Sequence, residues 1–141
     1  MLQINSLYNL DCMEGMKHIP DKQFELAIVD VPYGIGESGE KNGSRGNRAI
    51  AKEYKPFHGG DKEPPGKDYF RELKRVSKNQ IIWGANHFIS RLTDNTDSSC
   101  WLIWDKQNGS SDFADCELAW TSFQSAVRLF FLSGRGCYKA I

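Results

Sequence analysis

The feature that most constrains the fold is a short apolar run, Phe24-Glu25-Leu26-Ala27-Ile28-Val29, which stops at Asp30-Val31-Pro32-Tyr33-Gly34. Its near-continuous hydrophobicity suits a strand covered on both faces, as in a parallel sheet. A parallel neighbour cannot be reached by a tight hairpin, so a crossover must separate this strand from the next. Gln80-Ile81-Ile82-Trp83 is a second strand, ended by Gly84-Ala85-Asn86. Trp101-Leu102-Ile103-Trp104 is a third, ended by Asp105-Lys106-Gln107-Asn108-Gly109. Residues 117–121 and 126–132 give a fourth and a fifth. Strands separated by helices or long connections predict an α/β fold, with a mainly parallel sheet flanked by helices.

Asp11 is a helix N-cap with Glu14 three residues on, and Met13, Met16 and Ile19 recur at helical spacing until Pro20-Asp21 breaks it. Residues 67–78 predict an amphipathic helix with Tyr69, Phe70, Leu73 and Val76 on one stripe; Pro64-Pro65 precedes it and Asp68 sits in its first turn. A short helix is expected over 87–92. Residues 34–66 are rich in glycine, proline and polar side chains, and a loop of this length usually serves as a lid or stays flexible. The 141 residues fit one domain.

Charge and cysteine usage narrow the class. The chain carries 18 basic and 18 acidic residues, a zero net charge that argues against a polyanionic partner but hides an asymmetry. Residues 41–78 hold 11 Lys/Arg against 5 Asp/Glu, a local +6 balanced by −6 elsewhere, which is compatible with phosphate binding on one face or with a solvated loop. Cys12, Cys100, Cys116 and Cys137 are far apart, with no metal-ligand spacing, and read as reduced thiols of a cytoplasmic protein. No run has the length of a membrane span, and the first residues lack a signal-peptide pattern.

In open α/β sheets ligands bind at the carboxyl ends of the strands. Three such ends carry polar or aromatic residues: Asp30-Val31-Pro32-Tyr33-Gly34, Gly84-Ala85-Asn86 and Trp104-Asp105-Lys106. The first offers a carboxylate, a backbone fixed by proline, and a flat π face. Those groups match the needs of an exocyclic amine on a flipped base, which is read at its edge while stacked on an aromatic ring. An amine conjugated into a ring is a poor nucleophile. Accepting its two N–H bonds, at the Asp30 carboxylate and a nearby carbonyl, favours the tetrahedral, nucleophilic geometry and stabilises charge developing on nitrogen. A strand can also end this way with no function. Asn86, Trp104, Asp105 and Lys106 suit a substrate pocket or ordinary strand-end capping equally, while Trp83, Trp101 and Trp120 read as core.

Asp30-Val31-Pro32-Tyr33 resembles the Asp-Pro-Pro-Tyr signature of the S-adenosylmethionine-dependent DNA amino-methyltransferases. The stretch from Asn9 to Met16, with Ile19-Pro20-Asp21, resembles the segment that precedes this signature. Trp101–Lys106 and Cys116–Thr121 resemble phage and prophage members, so the resemblance covers roughly residues 5–129. It implies a partial Rossmann-like methyltransferase fold with a long loop after the catalytic strand. It also implies site-specific transfer of a methyl group from S-adenosylmethionine to the N6 amine of adenine in DNA, as in restriction-modification. An aspartate at the first signature position is commoner among adenine enzymes. Asp30 and the Pro32 carbonyl would then accept the amine, and Tyr33, beside Gly34, would stack on the base. Asp11, Cys12 and Asp30 would border the cofactor. Arg45, Arg48, Lys52 and Lys55 would meet DNA phosphates. The departure is Val31, where the family usually has proline.

The glycine-rich donor loop of the family is not found in the sequence; Ser133-Gly134-Arg135-Gly136 has no strand–loop–helix after it. The tail Gly134–Ile141 can be encoded by bases that read Trp-Gln-Gly-Met-Leu-Gln-Gly-Asp in a neighbouring frame, so a frameshift that shortened a longer catalytic domain is expected. The alternative to an active enzyme is a catalytically inactive remnant that keeps the fold and weak DNA or protein binding. Either way, uncovered apolar surface predicts self-association into a homo-oligomer.

Overall fold

The computed structural model describes residues 3, 5–36, 61–93, 96–107 and 114–131. The elements run α1 (Cys12–Met16), β1 (Phe24–Asp30), α2 (Lys67–Val76), β2 (Ser77–Trp83), two 3-10 turns (Ala85–His87 and Ile89–Arg91), β3 (Trp101–Asp105), β4 (Cys116–Thr121) and β5 (Arg128–Phe131). Asp11 caps α1 as its sequence position predicts, accepting from the N–H groups of Met13 at 2.9 Å and Glu14 at 3.1 Å. Glu14 turns outward to Lys17 at 2.6 Å.

The five strands form one mixed α/β sheet in the order β1-β2-β4-β3-β5. β1 pairs parallel with β2 and β3 parallel with β5, whereas β4 runs antiparallel to β2 and β3, so four strands point one way. The expectation of a mainly parallel sheet is corrected at β4. Only residues 106–115 separate β3 from β4, fewer than a parallel crossover needs. The Lys106 N–H instead donates to the Asp115 carbonyl at 2.9 Å and starts an antiparallel ladder.

Among the boundaries that differ from the sequence reading, which include α1 ending at Met16 instead of Ile19, two have clear local reasons. α2 stops at Val76 because Ser77 adopts extended angles (φ −126°, ψ 148°) and enters β2 without a loop. The Ser77 hydroxyl donates back to the Leu73 carbonyl at 2.5 Å, satisfying a group that the helix end leaves free. The helix expected over 87–92 is broken into 3-10 turns at Phe88 (φ −143°), whose side chain turns into the core at 2% exposure.

One face of the sheet is covered. Ile82 and Trp120, with Ala27, Val29 and Trp101, pack under Phe70 and Leu73 of α2 and under Phe88 and Leu92. α1 is stacked on α2, where Arg75 donates to the Met16 and Ile19 carbonyls at 2.7 and 2.8 Å and pairs with Asp21 and Glu72. The strand register puts Phe24, Leu26, Ile28 and Asp30 on the opposite face, with Ile81, Trp83, Leu102, Trp104 and Phe130. Among the described residues that face is open along β1, where Phe24, Leu26 and Ile28 are 46, 40 and 62% exposed, whereas Ala119 and Thr121 of β4 on the same face are fully buried. Among the described residues β1, read as covered on both sides, is an edge strand with one face uncovered.

Candidate functional site

The site is built where β1 and β2 end side by side, with Asp30 paired in register to Trp83. β1 closes on an exposed Asp30, and the chain then turns through Val31, whose side chain is buried at 8% exposure within the core cluster. A valine at the position where the resembling family has proline therefore anchors the turn by packing. Pro32 is exposed and Tyr33 half-buried. The Tyr33 hydroxyl donates to Asp30 Oδ1 at 2.8 Å.

β2 ends in Gly84, at φ +68°, where a side chain is strained. A Cβ at this position would overlap Tyr33 Cε1 and both its ring neighbours, Cζ and Cδ1, which places the Gly84 backbone over the ring face rather than at its rim. His87, one turn on, lies nearly parallel to the same ring, with centroids 5.1 Å apart and planes 13° from coplanar. Phe88 tilts against it at 6.4 Å. Burial first, then the bond to Asp30 and the nearby Glu117 and Asp61 carboxylates, push the Tyr33 phenol well above its ordinary range. It therefore stays protonated and a hydrogen-bond donor.

The ends of the long connection meet at this edge. The Gly34 N–H donates to Asp61 Oδ1 at 2.8 Å, and the Gly36 N–H to the Asp61 carbonyl at 2.8 Å. Arg91 holds the same strap from below, donating to the Pro64 carbonyl and pairing with Glu63 at 3.3 Å. Residues 37–60, with Arg45, Arg48, Lys52 and Lys55, lie outside the described residues, as do Asn108, Gly109 and the 132–141 tail. Within the basic segment, several of the described cations have local partners. Arg71 pairs with Asp68, Arg75 with Glu72 and Asp21, and Lys78 with Glu25, which neutralises much of the charge near α2.

Trp83 links Asp30 to a second group on the open face. It makes edge contacts with Trp104 at 6.4 Å and Phe130 at 6.2 Å, so of the three tryptophans read as core it is the one that joins the open face. Trp120 is 2% exposed, and Trp101 packs against the core cluster. Lys106 lies 5.5 Å over the Trp104 ring and forms an ion pair with Glu117, largely shielded from water. The neighbouring Asp105 accepts from the Gln107 N–H at 2.8 Å and so closes its own turn. Asn86 is exposed in the first 3-10 turn.

The structure thus brings Asp30, Tyr33, Gly84 and His87 together, with Trp83, Trp104, Lys106 and Glu117 adjoining. Asp11 is engaged in capping α1, and Cys12 stands near enough to Tyr69 of α2 to raise its phenol, after burial, to about 12. His87 and Glu117 were not singled out by sequence. The available signal was the spacing Gly84-x-x-His87, which puts a ring one 3-10 turn beyond a strand-ending glycine. Among the described residues no group of three His, Cys, Asp or Glu side chains could hold a metal ion, and no helix is long and apolar enough to cross a membrane. Comparison with protein-family models and with curated proteins finds no match to this chain.

Proposed function

We propose that the chain is the amine-binding part of an S-adenosylmethionine-dependent DNA methyltransferase acting on the N6 amine of a flipped adenine. The observation that carries this reading is an exposed carboxylate at the carboxyl end of a parallel strand, three residues before an aromatic ring that bonds to it. Asp30 accepts an N–H from the amine, and a carbonyl of the Val31–Pro32 turn accepts the second. Together they draw the nitrogen lone pair out of ring conjugation and stabilise positive charge as the nitrogen forms a new bond. Tyr33 supplies the stacking face. Trp104 and Lys106, which adjoin Trp83, would face the target base's neighbours, and phosphate contacts from residues 45–55 would position the DNA.

The described residues do not fit the donor. Asp11 is engaged as a helix cap, Cys12 sits beside Tyr69, and no glycine-rich strand-to-helix loop is present among them. The same observation favours a second reading, an inactive remnant that binds DNA or protein weakly. Titration calorimetry of the full chain with S-adenosylmethionine separates the two. Binding at micromolar donor supports the enzyme, and silence up to millimolar donor leaves the remnant. In a binding-competent form, Asp30→Ala is expected to abolish methyl transfer to DNA, and retained transfer would refute the role assigned to Asp30.

A further inference from the structure

We propose that His87 is a positioning residue that holds Tyr33 as a cap on Asp30, so that the amine of an incoming base competes with the phenol for the carboxylate. This rests on the reading of Asp30 as an amine acceptor. The Tyr33 hydroxyl already occupies Asp30 Oδ1 at 2.8 Å, and the His87 ring lies parallel to the ring that delivers it. Gly84 makes the arrangement sterically possible, since any Cβ there would collide with that ring.

The charged and titratable groups around the phenol come from four places: Asp30 on β1, Asp61 on the strap beside Gly34, Glu117 on β4, and His87. Three of them are carboxylates, so the phenol acts as a donor, and Asp30 is the acceptor it reaches. A base that stacks on the face of Tyr33 that His87 covers competes with His87 for the ring, and its amine competes with the hydroxyl for Asp30. One swing of Tyr33 away from His87 releases both. The cap thus couples stacking to amine capture, and a planar ring without an amine gains only the first.

The test replaces tyrosine by fluorotyrosine throughout the full chain and follows the Tyr33 fluorine resonance, assigned by its loss in Tyr33→Phe. In the parent this phenol should ionise later than the free label. His87→Ala should lower its midpoint by roughly half a pH unit or more, and His87→Phe, which keeps a flat ring, should restore it. An unchanged midpoint in His87→Ala, or no restoration in His87→Phe, overturns the cap. In parallel, binding of a single-stranded oligonucleotide with one adenine is compared with the same strand carrying purine, which lacks the amine. Tyr33→Phe keeps the stacking face and frees Asp30, so its preference for adenine over purine should rise about three- to tenfold. A preference that does not rise counts against the cap. If the midpoints follow His87 but no oligonucleotide binds any variant, the cap stands and the DNA reading falls. If adenine is preferred and the midpoints ignore His87, the DNA reading stands and the cap falls.

Discussion

The two faces of the sheet share strands and hydrophobicity but not company. Under α2, Ile82 and Phe70 are fully buried and Trp120 nearly so, and the buried Gln80 beside them has partners, donating to the Ser77 carbonyl and hydroxyl. On the other side, Ile28 of the same β1 strand is 62% exposed, and the Trp83–Trp104–Phe130 cluster is open to solvent on its outer side. The covered face carries the stability of the fold. The open face carries Asp30 and the aromatic groups beside it, and among the described residues no second layer packs over β1. A site at the boundary takes rigidity from below, through Val31, and access from above.

The sharpest way to break this comparison is to remove one apolar side chain from each face. Phe70→Ala should destabilise the chain by about 3–5 kcal/mol in denaturant unfolding, the usual cost of emptying a filled aromatic site. Ile28→Ala should cost under about 1 kcal/mol, because most of that side chain is already in water. Similar losses would mean that the open face is covered in solution. Next in size is Gly84→Ala at the boundary. The left-handed backbone and the overlap with the Tyr33 ring together should cost about 1–3 kcal/mol. The change should also displace Tyr33 from Asp30, visible as a shifted Tyr33 resonance. A silent Gly84→Ala would show that the ring does not rest on this glycine.

How much of this was legible in the sequence follows from which forces are local. The Asp11 cap, the α2 stripe of Tyr69, Phe70, Leu73 and Val76, and all five strands follow from spacing and breakers within a few residues. Which strands are antiparallel depends on the length of the link between them, and the ten residues after Asp105 could have been read that way. The exposure of β1 could not, because an apolar run reports a preference for burial and not the presence of a covering layer. At the site, Asp30 and Tyr33 stand out through an unusual local pattern. His87 becomes informative only once Gly84 brings β2 under the Tyr33 ring, a contact between strands that no single segment encodes.

A smaller effect is expected on association. The Phe24, Leu26 and Ile28 row on an edge strand, continued by Ile81 and Trp83, offers apolar surface to a second copy. Sedimentation velocity should show self-association of the parent that weakens in the double change Leu26→Lys and Ile28→Lys, with the unfolding midpoint nearly unchanged. A monomeric parent would contradict it. A double variant that loses its fold would show that this face is packed.

The smallest effect lies under α2 and sharpens the contrast through pH. Burial first, then the proximity of Cys12, raise the Tyr69 phenol from 10.0 to about 12. A raised phenol means that the folded chain holds its proton where the unfolded chain has lost it. Between those two values the folded state binds more protons, so stability falls as pH rises, and the contribution is complete below pH 10. Tyr69→Phe removes this linkage, so the decline in stability on the alkaline side should become shallower in the variant while stability near neutrality changes little. The Tyr33 phenol is raised too, partly by carboxylates that stand beside it, so Tyr33→Phe should also soften the alkaline limb. The two are told apart by salt. Screening weakens the part of the Tyr33 effect that comes from Asp30, Glu117 and Asp61, whereas the Tyr69 effect, set mainly by burial, should persist at high ionic strength. Equal salt sensitivity at both positions would place Tyr69 in a charged, water-accessible setting like that of Tyr33, and the distinction between a packed face and an open one would fail at the residue chosen to represent the packing.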